Sequence, residues 1–315
     1  MTRPFRFGAQ LYAEDNRQKW IAQVRKAESI GYSVVTLPDH FGERVAIWPS
    51  IVSAADATTR LRFGSMTVNN DFWNPVVLAR EVATTDVLTE GRIEIGIGAG
   101  WRSVDYEWTG IPRDRAGVRI ARLGESVEIL KKAFSGRRFD FHGKYYTVDG
   151  AEGWPHPVQH PHPPLMIGGS GPKILGLAAR EANIVGVHIN LDAGNFEVGT
   201  GTPNTEQGAT GRQISERLDW IKEAAGDRFD SLELHVFVLD VVVTDDRASV
   251  AQRIADAYAI SPEEVMSSPY FALGTVENIV GQLQESRERY GLSYITVRQD
   301  HMELFAPVVE RLAGR

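Results

Sequence analysis

The chain has 315 residues, 43% of them hydrophobic and 24% charged, an ordinary globular composition that suits two average domains or one (β/α)8 barrel with insertions. Its 34 basic and 41 acidic side chains leave a net charge of −7, which argues against a general nucleic-acid or anionic-membrane surface. Cysteine is absent, which excludes a disulfide framework, a thiolate metal site and a cysteine nucleophile.

The opening segment, MTRPFRFGAQLYAEDNRQKW, lacks an apolar stretch long enough for a signal peptide. The longest apolar run, His235 to Thr244, is interrupted by Asp240 and is too short to span a bilayer, so a soluble cytoplasmic protein is expected. Strand-like runs fall at Phe5–Leu11, Ser33–Leu37, Leu61–Val68, Arg92–Gly98, Pro164–Gly168, Ile184–His188, Leu232–Val243 and Ser293–Arg298. Several are near-continuous Val, Ile and Leu, the pattern of a parallel sheet buried on both faces. Helical patterns alternate with them at Arg17–Ile30, Trp48–Thr58, Pro75–Thr89, Val118–Phe134, Gly171–Glu181, Gly211–Ala225, Arg247–Ala257, Thr275–Tyr290 and His301–Ala313. Gly31, Gly91 and Gly291 stand where helices stop before strands. Eight strand–helix units are the count of a closed (β/α)8 TIM barrel; a doubly wound sheet is the alternative, but no composition shift marks two halves.

Two stretches interrupt this single domain of residues 1–315. Residues 135–163 read as an exposed hairpin (SGRRFDFHGKYYTV) followed by a proline- and glycine-rich loop. Residues 190–212, rich in glycine, threonine and asparagine and without periodicity, read as a lid.

Barrel enzymes place catalytic groups at the C-terminal ends of strands. Strand two ends in Leu37-Pro38-Asp39-His40-Phe41, an acid beside a histidine, which suits general acid/base work or merely a polar turn. Strand four runs into Gly96-Ile97-Gly98-Ala99-Gly100-Trp101. A dinucleotide fingerprint fails there because Ser103 occupies the third glycine position and Val104–Gly117, polar and carrying Pro112, predicts no helix. Bare backbone at Gly98 suits either a flat ligand or close packing of strands. Strand five ends in Gly168-Gly169-Ser170-Gly171-Pro172-Lys173, where free amides before a helix favour an anion, and Lys173 in the first turn opposes the helix dipole unless a phosphate lies between them. Arg298, at the end of strand eight, is a second anion candidate, with a salt bridge as the competing reading. His156, His160 and His162 sit among five prolines with no carboxylate close by in sequence, so no metal site is expected. No G-x-S-x-G, H-E-x-x-H or Walker loop is present.

Together FGAQLY, LPDHF, the Asn74-Pro75 pair, GRIEIGIGAGW, FDFHGKYYTVDG, PPLMIGGSGPK, FALGTVENIV and YITVRQDH give the whole chain a likeness. It resembles the luciferase-like flavin and deazaflavin oxidoreductases, within them the branch using coenzyme F420. That resemblance implies a TIM barrel, hydride transfer between deazaflavin and a small organic substrate, and a homodimer. An FMN-dependent monooxygenase is the first alternative and a non-catalytic flavin-binding protein the second. It further implies a non-proline cis bond at Ser65-Met66, with Ser65, Met66 and Thr67 behind the cofactor ring. Asp39 would hydrogen-bond the ring, His40 would face the hydride-transfer carbon, Gly98 would line the cavity, and Gly169, Ser170 and Gly171 would hold the phosphate, with Lys173 beside them. In the sugar-phosphate dehydrogenases of the family an acid follows the strand-four glycines. Here Trp101 takes that place, which suggests a less polar substrate and leaves Glu107 as the nearest substitute acid. Phe72 and Trp73 are interface candidates, with core packing the equal alternative.

Overall fold

The computed structural model describes residues 3–13, 16–42, 45–190 and 208–315. In chain order the strands are β1 (Arg6–Gln10), β2 (Val34–Leu37), β3 (Arg62–Ser65), β4 (Val68–Asn69), β5 (Ile93–Gly98), β6 (Arg138–His142), β7 (Thr147–Glu152), β8 (Leu165–Gly169), β9 (Ile184–Val187), β10 (Glu233–Phe237), β11 (Asp240–Val243), β12 (Phe271–Gly274) and β13 (Leu292–Arg298). The helices are α1 (Arg17–Ile30), α2 (Ile47–Ala55), α3 (Pro75–Leu88), α4 (Ser103–Thr109), α5 (Ala116–Phe134), α6 (Pro172–Glu181), α7 (Gly211–Ala225), α8 (Arg247–Tyr258), α9 (Pro262–Ser267), α10 (Val276–Tyr290) and α11 (Ala306–Leu312). The order of the main sheet is β3-β2-β1-β13-β10-β9-β8-β5, and β3 also pairs with β5, so eight parallel strands close into a (β/α)8 barrel. Among the described residues no helix is long and apolar enough to cross a membrane.

The chain divides into two compact units. One contains Leu11–Glu28 and Val34–Ile167, the other Met1–Gln10, Ser29–Ser33 and Gly168–Arg315. In the first, β2 pairs with β3, β3 with β5, and β5 with the start of β8. Val34, Phe63, Ile93, Ile95 and Leu165 are wholly buried there, as strands covered on both faces require. Helix α3 starts where its sequence says it should: the Asn74 side chain accepts the N–H groups of Val76 and Val77, and Pro75 takes the first helical position. The hairpin expected within residues 135–163 is β6 and β7. The Glu125 carboxylate of α5 accepts the N–H groups of Lys144, Tyr145 and Tyr146 in its turn.

In the second unit β1 and β10 flank β13, and β9 flanks β10. Helix α7 opens with a capping box between Thr210 and Gln213, and α10 closes on Gly291 in the left-handed region, φ +74°. The apolar run Leu232–Val243, expected as one strand, is two. At Val238 and Leu239 the chain leaves β13, bonds to the Tyr270 carbonyl and continues as β11, paired with β12. Strand β12 is only four residues long, FALG, and was hidden in a stretch with no alternation. Residues 191–207, most of the expected lid, lie outside the described residues.

Candidate functional site

Strand β2 delivers Pro38, Asp39 and His40 at its C-terminal end, in the first unit. The His40 ring is about one quarter exposed, with Nδ1 2.7 Å from Asp105 Oδ2, whose side chain is 3% exposed. Asp105 Oδ1 accepts the Phe41 N–H at 3.3 Å and the Arg102 guanidinium at 2.9 Å. A carboxylate can only accept here, so Nδ1 carries the proton and Nε2 is the atom left for chemistry. Among the described residues Nε2 has no hydrogen-bond partner. Trp101 meets the His40 ring edge to face, centroids 5.6 Å apart at 88°.

Asp39 is held differently. Its Oδ2 accepts the Asn69 N–H at 3.3 Å and the Trp73 indole N–H at 3.4 Å, while Oδ1 accepts no hydrogen bond from the described residues. Burial raises its pKa, against the pull of those two donors and of His40. Burial acts in the same sense on Asp105, but the His40 hydrogen bond and the His40 and Arg102 charges outweigh it and lower that carboxyl. The two carboxyls nearest His40 in charge interaction are thus shifted in opposite senses, Asp39 up and Asp105 down.

Asp105 was not found from the sequence. It lies on α4, a helix that the polar stretch before Pro112 did not predict. The helix forms because it ends at Gly110 (φ +70°), two residues short of the proline, and an acid in its first turn suits the dipole. Glu107, read as the substitute acid, is exposed; two residues along a helix it projects away from the face that carries Asp105. Asp105 rather than Glu107 is the acid at His40.

The non-proline cis bond is one residue beyond the expected place, at Met66-Thr67. Ser65 Oγ donates to the Gly96 carbonyl at 2.7 Å and accepts the Gly96 N–H at 3.0 Å, locking β3 to β5. A Cβ at Gly98 would lie 2.7 Å from Thr67 Oγ1, so close packing against Thr67 already requires glycine there. Phe72 and Trp73 pack internally. Phe72 meets Phe41 edge to face and Tyr106 at a tilt, and Trp73 meets Trp48 as well as bonding Asp39, contacts of the packing kind for both.

The second unit holds the other expected residues. Gly169 ends β8, Ser170 and Gly171 form the turn, and Gly171 is the N-cap of α6 with no side-chain cap. Lys173 is exposed on the first turn of α6. Arg298 does not stand open to an anion: Asp300, two residues on, grips it at Nε (3.1 Å) and Nη2. Burial, then the Arg217 charge, bring the His188 pKa down to about 4. Burial, followed by the charges of His188 and Arg6, holds the His235 pKa well below the ordinary value.

A sequence model of luciferase-like monooxygenases matches residues 1–291, and the chain belongs to that family. It is a luciferase-like oxidoreductase with both F420-dependent and flavin-dependent relatives. The F420-dependent glucose-6-phosphate dehydrogenase of Nakamurella multipartita is 28% identical over 271 residues, covering 83% of this chain and 75% of that one. The oxygenase component of the flavin-dependent trigonelline monooxygenase of Acinetobacter baylyi is 25% identical over 296 residues, covering 84% and 76%. Among solved structures, the coenzyme F420-dependent tetrahydromethanopterin reductase of Methanopyrus kandleri superposes with a TM-score of 0.76 at 18% identity, over 98% of this chain and 99% of that one. At that identity the likeness concerns the fold.

Proposed function

We propose that the protein is a coenzyme F420-dependent oxidoreductase acting on a small, weakly polar organic substrate. The observation that carries this reading is His40, fixed through Nδ1 by buried Asp105 with Nε2 unpartnered at the end of a barrel strand. The residues fit a flavin-type cofactor. Asp39 Oδ1 is open to a ring N–H, and the Ser170 and Gly171 amides of the second unit are without acceptors among the described residues. When bound, the deazaflavin ring would supply the hydride chemistry.

The chain's own residues do the rest. Asp39 anchors the ring edge. In the first unit Ser65, Met66 and Thr67, with Gly98, would line the place of the ring; in the second, taken by itself, the Gly169–Ser170–Gly171 turn would offer its amides to a phosphate. His40 Nε2 gives a proton to, or takes one from, the substrate oxygen as hydride moves. Trp101, at the position where sugar-phosphate dehydrogenases carry an acid, presents an apolar edge and disfavours a polyhydroxylated substrate. The expected homodimer and cytoplasmic location accompany this reading.

An FMN-dependent monooxygenase is the second reading, favoured by the likeness to the Acinetobacter oxygenase. Titration of the purified protein with oxidised and reduced F420 and FMN separates the two. Tighter binding of F420, with hydride exchange that needs no oxygen, is expected. Binding of FMN alone, with oxygen consumed, would replace the proposal by the second reading.

A further inference from the structure

Two consecutive peptide planes of the Gly169–Gly171 turn are tied down through their carbonyls. The His188 main-chain N–H donates to the Gly169 carbonyl at 3.0 Å, and Arg217 Nε donates to the Ser170 carbonyl at 3.3 Å. Both peptides are trans, so C=O and N–H point opposite ways. Tying the two carbonyls therefore aims the Ser170 and Gly171 N–H groups away from His188 and Arg217. Neither N–H meets an acceptor among the described residues.

Arg217 is itself closely fixed. It lies on α7, 5% exposed, and Nη1 donates to the Gly208 carbonyl and to the Tyr270 hydroxyl at 3.2 Å. The Tyr270 O–H in turn donates to the Val187 carbonyl at 3.1 Å, at the end of β9. One guanidinium thus braces the turn after β8, the end of β9 and the approach to β12. Unlike exposed Lys173, it puts a buried positive charge beside the turn. The same charge is the second cause of the low His188 pKa.

We infer that Arg217 is the positioning residue of the phosphate seat: by holding the Ser170 carbonyl it presents two turn amides to an anion and adds a positive field behind them. This rests on the phosphate role given to the turn above. It goes further, because sequence reading gave the cationic role to Lys173 and Arg298.

The test begins with the 15N-labelled protein titrated with inorganic phosphate. The Ser170 and Gly171 amides are expected to shift most, and saturably. Arg217→Met abolishes that response and Arg217→Lys keeps part of it. Cofactor affinity follows suit. F420 binding weakens about tenfold in Arg217→Lys, the scale of one hydrogen bond made by a charged donor, with kcat at saturation nearly unchanged. Affinity for a deazaflavin lacking the phosphate stays within about twofold, because a positioning role at the phosphate seat does not reach that ligand. Should Arg217→Met not fold, Arg217→Lys carries the test by this ratio. Absence of a saturable shift at the two amides, or equal weakening of both deazaflavins, overturns the inference. A wild-type protein that collects phosphate at these amides yet binds neither F420 nor FMN supports it and overturns the cofactor reading instead.

Discussion

The two units each contain a histidine in a polar contact, and they treat it in opposite ways. In one, His40 stays a quarter exposed and is handed a buried carboxylate, Asp105, that arrives from a separate helix. In the other, His188 and His235 face each other, ring centroids 5.7 Å apart at 73°, and His235 Nε2 meets the Thr296 hydroxyl at 2.9 Å. Among the described residues, His188 Nε2 and His235 Nδ1 are buried without a hydrogen-bond partner. Burial without a counter-charge keeps an imidazole neutral, whereas a carboxylate at Nδ1 fixes the tautomer and the orientation of the ring. On the reading proposed above, His40 is the imidazole arranged for proton exchange, while the buried pair His188 and His235 has no carboxylate among its described partners.

The largest effect that would sharpen this contrast is on turnover. His40→Ala is expected to lower kcat/KM by about 10³-fold, within the usual range for losing a positioned general acid/base, with F420 affinity hardly altered. His188→Gln is expected to cost less than about tenfold under the same assay. Comparable losses for both would end the distinction. Next comes Asp105→Asn. The amide can donate to Nδ1 and so invites the wrong tautomer, and about 10²-fold is expected in kcat, partly restored by Asp105→Glu. The 15N shifts of His40 report it directly: the proton moves from Nδ1 to Nε2 in the variant. An unchanged tautomer together with lost activity would leave Asp105 a merely structural residue.

Stability distinguishes the same regions by pH. A histidine whose folded pKa is depressed leaves the native state unprotonated while the unfolded chain binds protons. For His188, stability is intact above about 6.5, declines as pH falls below that value, and is fully forfeited near 4. Between pH 7 and pH 5 this one residue costs roughly 2 kcal/mol, and His235 adds to it in the same direction. Asp105, whose pKa is lowered, contributes above its ordinary value of 3.8 and loses its contribution only as pH falls below it. Thermal unfolding at pH 7, 6 and 5 should show the midpoint falling in wild type and falling less steeply in His235→Phe, where the contribution of His188 remains. A flat wild-type profile would mean that the buried pair takes up protons freely.

Much of this architecture was legible in the residues. The alternation of β-branched runs with capped helices is local information, and Asn74-Pro75, Thr210 and Gly291 act within a turn of their own positions. The positions of Asp39, His40 and the Gly169 turn at the ends of strands were legible from the strand pattern. What escaped depends on contacts far apart in sequence. The His40–Asp105 pair spans 65 residues, and Arg217 meets the Ser170 carbonyl across 47. A buried arginine in an amphipathic helix looks, in one dimension, like any other solvated charge. Strand β12 was too short to show a period, and α4 was masked by a proline that lies beyond its end.

The smallest expected effect tests the choice between two acids on one helix. Glu107 and Asp105 are two residues apart on α4, so a helix of 3.6 residues per turn puts them on nearly opposite faces. Asp105 faces inward to His40 and Arg102; Glu107 is exposed. An exposed carboxylate that touches no reacting group changes a rate only through its long-range field, which salt screens. Glu107→Gln is therefore expected to leave kcat, KM and their pH dependence within about twofold of wild type. If instead it abolishes turnover while Asp105→Asn does not, α4 turns its other face to the substrate during the reaction, and the carboxylate that serves His40 in the resting protein is not the one that serves catalysis.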